Sequence, residues 1–444
     1  MSSDPTVAEP AVAGFEPMRV STMRAVDRWL GVPLCLLLTL VCGPWIRWRR
    51  RRETISPPRS IAFIKLAEQG TTVLAVAAIR RAVALVGQDN VYFVTFEANR
   101  PIVDVIGLIP PDNVLTIRDH SLRDVVSGTW RVIRRLRHLR VEASIDMEFF
   151  ARSSALLAFL AGLPRRVGYH CFEGEGPYRG DLMTYRLRYN PHHHISVAYA
   201  LMVEALLEPP TALPTFDLVP PEVTDDPPPR FEPDDDERAA VGDILRLASG
   251  SEAFEPLVLL NSNCSDLLPL RQWPSERYVE LAHRLLETHT GLSVAFTGAP
   301  AEAEAVGLLV DAVGSPRCFS IAGKTTLRQL IVAYGMAEIL VTNDSGPAHF
   351  ASVTPIDVVT LFGPETPELF AARSPRNHVI WAGLACSPCV SALNNRVSHC
   401  RDNVCMQHIS VEAIFQRVCA ILAHRGHGPP VKSATPSMPP PALE

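Results

Sequence analysis

Short apolar runs alternate along most of this chain with longer stretches in which apolar residues recur every third or fourth position. The runs at 60–66, 90–96, 143–146 and 166–169 are predicted strands, and 73–86, 101–108, 122–139 and 151–163 are predicted helices between them. A second series begins at 256–261 and continues through 292–297, 339–342 and 356–362. Such alternation implies parallel sheets covered by helices. Between the two series the composition turns to proline and acid, with Pro-Pro-Glu-Val-Thr-Asp-Asp-Pro-Pro-Pro from Pro220 onward, which reads as a linker.

The pattern therefore divides the chain into five parts. A disordered lead and membrane-associating segment covers 1–58, a first Rossmann-like domain 59–215, a linker 216–238, a second Rossmann-like domain 239–425 and a proline-rich disordered tail 426–444. Ligands of such sheets sit at the carboxyl ends of the strands, so two of them create a cleft.

Residues 29–46 form 18 positions without a charge, followed by Arg47, Trp48 and Arg49 through Arg52. That length is just short of the ~20 residues needed to span a bilayer, and Pro33, Gly43 and Pro44 interrupt it. Trp29, Trp45 and Trp48 at the edges and the arginine block behind them fit a peripheral or monotopic anchor on the anionic inner face of the cell membrane. A signal peptide fits less well because no small-residue cleavage site follows, and a buried core helix is the third reading. The helix at 122–139 carries Arg131, Arg134, Arg135 and Arg137, with Arg140 just beyond, either a solvated face or a seat for anionic lipid or a phosphorylated acceptor.

At 444 residues, with 47% hydrophobic and 20% charged positions, the chain has room for two cores. The formal charge of −5 argues against a general nucleic-acid binder. Ten cysteines without a small secreted framework read as reduced thiols.

The sharpest chemical signal is Val341-Thr342-Asn343-Asp344-Ser345-Gly346-Pro347-Ala348-His349, a strand that breaks into small polar residues and opens a helix. Backbone N–H groups at such a turn attract phosphate, so the loop points to a nucleotide-handling protein. Asp344 also fits a plain N-cap, and His349 a packing histidine. Gly323-Lys324-Thr325-Thr326 looks like the end of a P-loop, but Cys318 stands where its first glycine belongs, so that motif is rejected. His192-His193-His194 cannot all face one ion, and the expectation is that no metal is bound. Cys386, Cys389, Cys400 and Cys405 are the weak alternative, as a zinc cluster, as disulfides or as free thiols of a lid loop.

The turn Lys65-Leu66-Ala67-Glu68-Gln69-Gly70, the segment Arg271 to Tyr278, the Thr297-Gly298-Ala299-Pro300 turn with Glu302, the loop at Thr342 to His349 and Leu361-Phe362-Gly363-Pro364 occur in the order that resembles glycosyltransferase family 9, the lipopolysaccharide heptosyltransferases. The resemblance covers residues 60–420 and implies a GT-B fold, two Rossmann-like domains facing across a cleft. It implies inverting, metal-independent transfer of a heptose-type sugar from ADP-heptose or a similar donor to a lipopolysaccharide or lipid-linked acceptor, with no cofactor. Asp344, Ser345, Gly346, Pro347 and His349 would then bind the donor, joined by Arg271, Lys324, Thr325, Gly298 and Glu302. Lys65, Gly70, Thr71 and His194 fall on the acceptor side, with an interdomain contact as the other role for His194.

One position departs from the family. An aspartate follows the first-turn glycine in the heptosyltransferases, and here Thr71 follows Gly70. Threonine is no base near neutral pH, so Glu68 becomes the candidate base, with Asp146 and Glu148 next. The departure keeps two rivals open, a catalytically silent nucleotide-sugar or glycan binder and a nucleotide-sugar epimerase of related fold.

Overall fold

The computed structural model describes residues 20–53, 56–174, 176–211, 228–264 and 268–427. The first six strands are β1 (Ile61–Ile64), β2 (Val91–Phe96), β3 (Val114–Ile117), β4 (Ala143–Asp146), β5 (Arg165–Tyr169) and β6 (Tyr185–Leu187). They form one parallel sheet in the order β3-β2-β1-β4-β5-β6. The other six are β7 (Leu257–Asn261), β8 (Ser293–Phe296), β9 (Cys318–Ser320), β10 (Ile339–Asn343), β11 (Asp357–Phe362) and β12 (Asn377–Trp381). Their order is β12-β11-β10-β7-β8-β9, the same winding repeated. This is the expected GT-B architecture.

The central strands are buried along their whole length because helices cover both faces, which is why they read as unbroken apolar runs. In each sheet the winding reverses between two neighbouring strands, β1 and β4 in the first and β7 and β10 in the second. The strand ends at these reversals leave the crevices where ligands bind. One apolar core cluster runs from the first sheet through Phe149, Tyr189 and Tyr199 to Phe350 and Phe370 of the second half.

The N-terminal segment and the linker differ from the expectations drawn from sequence. The helix Val32–Arg52 runs straight through Gly43 and Pro44, which the pattern marks as interruptions. Pro33 lies in its first turn, where a missing N–H costs nothing, and Pro44 removes a single backbone bond. The second difference is in the linker, where the helix Asp235–Ser249 begins inside 216–238, set by an Asp234–Glu237 capping box. Residues 212–227, 1–19 and 428–444 lie outside the described residues.

The helix Val32–Arg52 lies along the first domain. Cys35 and Ile46 pack on Leu182. Thr39 Oγ1 accepts from the Asp181 N–H at 2.9 Å, and Arg50, 7% exposed at its side chain, pairs with Asp181 at 3.0 Å while donating to the carbonyls of Met183 and Thr184. Asp27, just ahead of the helix, pairs with Arg152 at 3.2 Å and accepts from two backbone N–H groups at the start of the helix Arg152–Leu160. The opposite flank is Leu30, Leu34, Leu37, Val41, Trp45 and Trp48, at helical spacing and all roughly half or more exposed.

Candidate active site in the interdomain cleft

β1 runs into Lys65, whose side chain is fully buried; its Nζ stands 3.2 Å from Glu68 Oε2 and 3.4 Å from Glu148 Oε2. Glu148 fixes the turn by accepting the N–H groups of Leu66 and Ala67 at 2.8 and 3.0 Å. Glu68 adopts φ 64° and ψ 72°, the left-handed region, which costs a non-glycine residue roughly 1 kcal/mol or more. Thr71 holds it there, its Oγ1 donating to the Glu68 carbonyl at 2.9 Å. Thr71, the residue after Gly70, thus acts on the backbone of the Glu68 carboxylate residue.

Across the cleft, β10 runs into the Asn343–Ser345 turn. Asn343 is a four-way staple: its Nδ2 donates to the carbonyls of Ser262 and Asn263 at 3.2 and 3.1 Å, and its Oδ1 accepts from the Trp273 N–H and the Tyr278 hydroxyl at 3.0 and 3.1 Å. These bonds seat the Arg271–Trp273 segment beside the loop. Arg271 Nη1 donates to the Asp344 carbonyl at 2.9 Å, and its other nitrogens lie 3.7 Å from the Asp344 carboxylate and 3.6 Å from Glu365. Ser345 Oγ is turned onto the Asn343 carbonyl at 3.2 Å. The helix that follows, Gly346–Ala351, has only six residues and Pro347 in its first turn, so its dipole is small and the positive charge of the site comes mainly from guanidinium groups.

The two halves meet directly. A Cβ on Gly70 would sit 2.6 Å from His349 Cδ2 and 3.3 Å from Gly346 Cα, so glycine is what lets the turn after β1 approach the loop after β10. Arg396 reaches in from the segment between β12 and the C-terminal helix Val411–His424, and its guanidinium pairs with Glu68 and lies 3.4 Å from Glu365. Its ring contacts come from both halves, with Phe149 and Phe370 each 5.2 Å away. His194 caps the helix Ile195–Glu204 and its Nε2 meets the Ala371 carbonyl at 2.9 Å, an interdomain contact.

The electrostatics follow from burial and these pairs. Burial works to raise the Glu68 pKa, but Arg396, Lys65 and Arg271 outweigh it and hold the carboxyl at about 2. For Asp344 burial dominates and, with Glu365 adding to it, pushes the carboxyl up to about 7 against the pull of Arg271. Burial lowers His349 to about 3 and His194 to about 4, so both are neutral imidazoles at neutral pH. Arg271 Nε, Arg396 Nε, Asp344 Oδ2, Glu365 Oε1 and His349 Nδ1 are buried without a hydrogen-bond partner, a cluster that a polar ligand would complete.

The remaining candidates named from the sequence separate. Gly298 and Glu302 lie at the end of β8, where Glu302 Oε2 accepts from Asn263 and from the Ala299 N–H at 3.1 and 2.7 Å. Lys324 is exposed on the turn after β9, which is tied to Gly298 by a 3.0 Å backbone bond, and Thr325 is half-buried beside it. β9 is three strands from β10, about 14 Å at ordinary strand spacing. Lys324 and Thr325 therefore stand away from the Arg271–Asp344 cluster, toward the β9 edge of the second sheet. Asp146 is sealed: it is fully buried, paired with Arg179 and hydrogen-bonded by Ser154 at 2.9 Å, so it is excluded as a base. Cys386, Cys389, Cys400 and Cys405 form no disulfide with one another. None of the ten cysteines is joined in a disulfide, and among the described residues no three His, Cys, Asp or Glu side chains are placed to hold a metal.

The glycosyltransferase family 9 (heptosyltransferase) profile matches residues 129–398, which span the cleft from the first domain to Arg396. This chain belongs to glycosyltransferase family 9. Among curated relatives, lipopolysaccharide heptosyltransferase 2 of Salmonella typhimurium is 28% identical over 258 residues, 56% of this chain and 68% of that protein. Its Escherichia coli K12 counterpart is 27% identical over the same shares. In structure, the family 9 fold here is similar to E. coli ADP-heptose lps heptosyltransferase II, with TM-score 0.62, 18% identity, and coverage of 83% of this chain and 99% of that one. E. coli heptosyltransferase WaaC with ADP gives TM-score 0.53 at 16% identity over 81% and 98%. The chain is a glycosyltransferase of this family.

Glu365 and Arg396 are the site residues that sequence reasoning missed. Glu365 follows Gly363-Pro364 at the end of β11, a carboxyl end that the strand-end rule flags. Arg396 has no such signal, because its segment carries no periodic pattern.

Proposed function

We propose that this family 9 enzyme transfers a heptose-type sugar with inversion from ADP-heptose, or a similar nucleotide sugar, to a lipopolysaccharide or lipid-linked glycan at the inner face of the cell membrane. The observation that carries the reading is the close approach of the Glu68–Gly70 turn to the 344–349 loop across one cleft, with Arg396 pairing Glu68 and lying beside Glu365. Residues 59–215 would hold the acceptor and 239–425 the donor. Glu68 would take the acceptor hydroxyl's proton as that oxygen attacks the anomeric carbon, and the departing diphosphate would be stabilised by Arg271 and the backbone of the 343–346 turn. These groups are all supplied by the chain, so transfer would need no added metal. Relatives named as ADP-heptose enzymes support the donor.

The test is transfer from ADP-heptose to a heptose-deficient lipopolysaccharide core, read by product anomeric configuration. The expected result is an inverted, acceptor-dependent product whose yield a chelator leaves unchanged. Nucleotide binding without turnover would support the silent reading, and a changed nucleotide sugar formed without acceptor would support an epimerase.

The membrane part rests on the exposed stripe from Leu30 to Trp48, apolar on a helix whose other flank is already used by the first domain. With one flank packed on the domain, the helix leaves its apolar flank to an apolar medium, and the part-buried ion pairs at Asp27 and Arg50 keep it against the domain, so it would lie in the membrane plane. Arg47, Arg49, Arg51 and Arg52 at its end would meet anionic headgroups. The full chain is expected to co-sediment with vesicles containing phosphatidylglycerol. Leu37→Glu/Val41→Glu should weaken partitioning by about tenfold or more with the cleft activity on a soluble acceptor retained; binding unchanged in this variant overturns the docking face.

A further inference from the structure

Arg396 holds an unusual position. It is only 7% exposed, it belongs to the donor half, and its closest carboxylate is the candidate base of the acceptor half. Its Nε has no hydrogen-bond partner and lies 3.4 Å from Glu365 Oε1, which is equally unpartnered. Phe149 and Phe370 flank the guanidinium, which keeps its charge in the cleft without fixing which oxygens it bonds.

The charges around it are close to balanced. Lys65, Arg271 and Arg396 face Glu68, Glu148, Glu365 and Asp344, with Tyr199 alongside and Arg24 of the N-terminal helical segment within electrostatic reach of Glu68. A diphosphate entering this cluster brings more negative charge than Arg271 alone can pair, and a guanidinium binds phosphate oxygens through the same fork it offers a carboxylate. Glu68 and a diphosphate held beside Asp344 would therefore compete for one cation.

We propose that Arg396 exchanges partners during the cycle, bonding Glu68 in one state and the donor's diphosphate in the other, so that donor loading frees the base. The exchange rests on the donor reading given above. It orders the reaction: while Arg396 bonds Glu68 the carboxylate is neutralised, and once Arg396 turns to the diphosphate the same carboxylate becomes available to the acceptor hydroxyl. No bond is made or broken in the exchange, and the proton from the acceptor ends on Glu68 only in the transfer step itself.

The test is ADP and AMP binding by calorimetry to the full chain and to Arg396→Gln, Arg396→Lys, Glu68→Gln and Arg271→Gln. Arg396→Gln is expected to weaken ADP by about tenfold or more and AMP far less, since AMP lacks the second phosphate. Glu68→Gln is expected to tighten ADP, because the competing anion is gone. In turnover, the acid limb of kcat should lie at higher pH than that of kcat/KM in wild type, and the two limbs should converge in Arg396→Gln. ADP affinity within about twofold of wild type in Arg396→Gln, or weakened in Glu68→Gln, overturns the exchange and leaves Arg396 an interdomain pin. If Arg271→Gln weakens ADP while Arg396→Gln does not, the exchange alone falls; if wild type binds no nucleoside diphosphate, the donor reading falls. Should Arg396→Gln not fold, Arg396→Lys and Glu68→Gln decide the matter by the same comparison.

Discussion

Replacing Glu68 by glutamine is expected to lower kcat by about 10²- to 10⁴-fold, the contribution of a positioned general base. Glutamine keeps the shape and can still meet Lys65 and Arg396, so the turn should survive. What it loses is the ability to accept a proton. Thr71 cannot substitute, because its hydroxyl is spent on the Glu68 carbonyl at 2.9 Å and is no base at neutral pH. Glu148 cannot substitute easily either, since one of its oxygens holds two backbone N–H groups and the other faces Lys65. The measurement is single-turnover transfer with saturating donor and acceptor, and a rate within a few-fold of wild type would remove Glu68 from the mechanism.

Arg179→Met is expected to cost about 3–5 kcal/mol of stability, the usual penalty for breaking a buried ion pair by removing one partner. Arg179 and Asp146 are 2% and 0% exposed, and Arg179 also donates to the Phe149 carbonyl at 3.0 Å. It therefore joins the end of β4 to the segment that carries Glu148 and Phe149. Methionine fills similar space but leaves the Asp146 carboxylate without a cation. Burial already raises the pKa of that group, and loss of Arg179 would raise it further. A carboxyl whose folded pKa lies above its unfolded value destabilises the fold at higher pH and less so as pH falls, so the deficit should shrink in acid. Denaturant unfolding of the first domain would show this, and Asp146→Leu added to Arg179→Met should recover much of the loss. A cost below about 1 kcal/mol would mean that the pair is replaceable.

How much of this is legible in the sequence depends on burial. The eight strands found from apolar runs are the central ones, β1, β2, β4, β5, β7, β8, β10 and β11. The four that were missed, β3, β6, β9 and β12, are the four sheet edges. An edge strand is covered on fewer sides, so its residues need not be apolar; β12, Asn-His-Val-Ile-Trp, has no fully buried position. The loop after β10 is legible for a related reason, because a buried strand must end in residues that allow the chain to turn.

The cleft itself is not legible in the same way. Glu68 can be named as a carboxylate near the expected base position, but its left-handed backbone and its partners come from elsewhere in the chain. Asp146 looks equally suitable from the end of its strand, and Arg179 decides that it is structural. Lys324 and Thr325 belong to a phosphate-like sequence, yet the strand order sets them at the β9 edge of the second sheet.

By itself, then, the sequence determined the paired Rossmann-like sheets, the polar turn at Asn343–His349, the apolar N-terminal segment and the threonine after the first-turn glycine, because each is a local pattern of burial or turn chemistry. Only the tertiary structure decided that Arg396 bonds Glu68, that Gly70 lies against His349 and that the N-terminal helix rests on the first domain through Arg50 and Asp27. These contacts join residues far apart along the chain. Their energy comes from desolvated charge and close packing, which exist only after the distant segments have folded against each other.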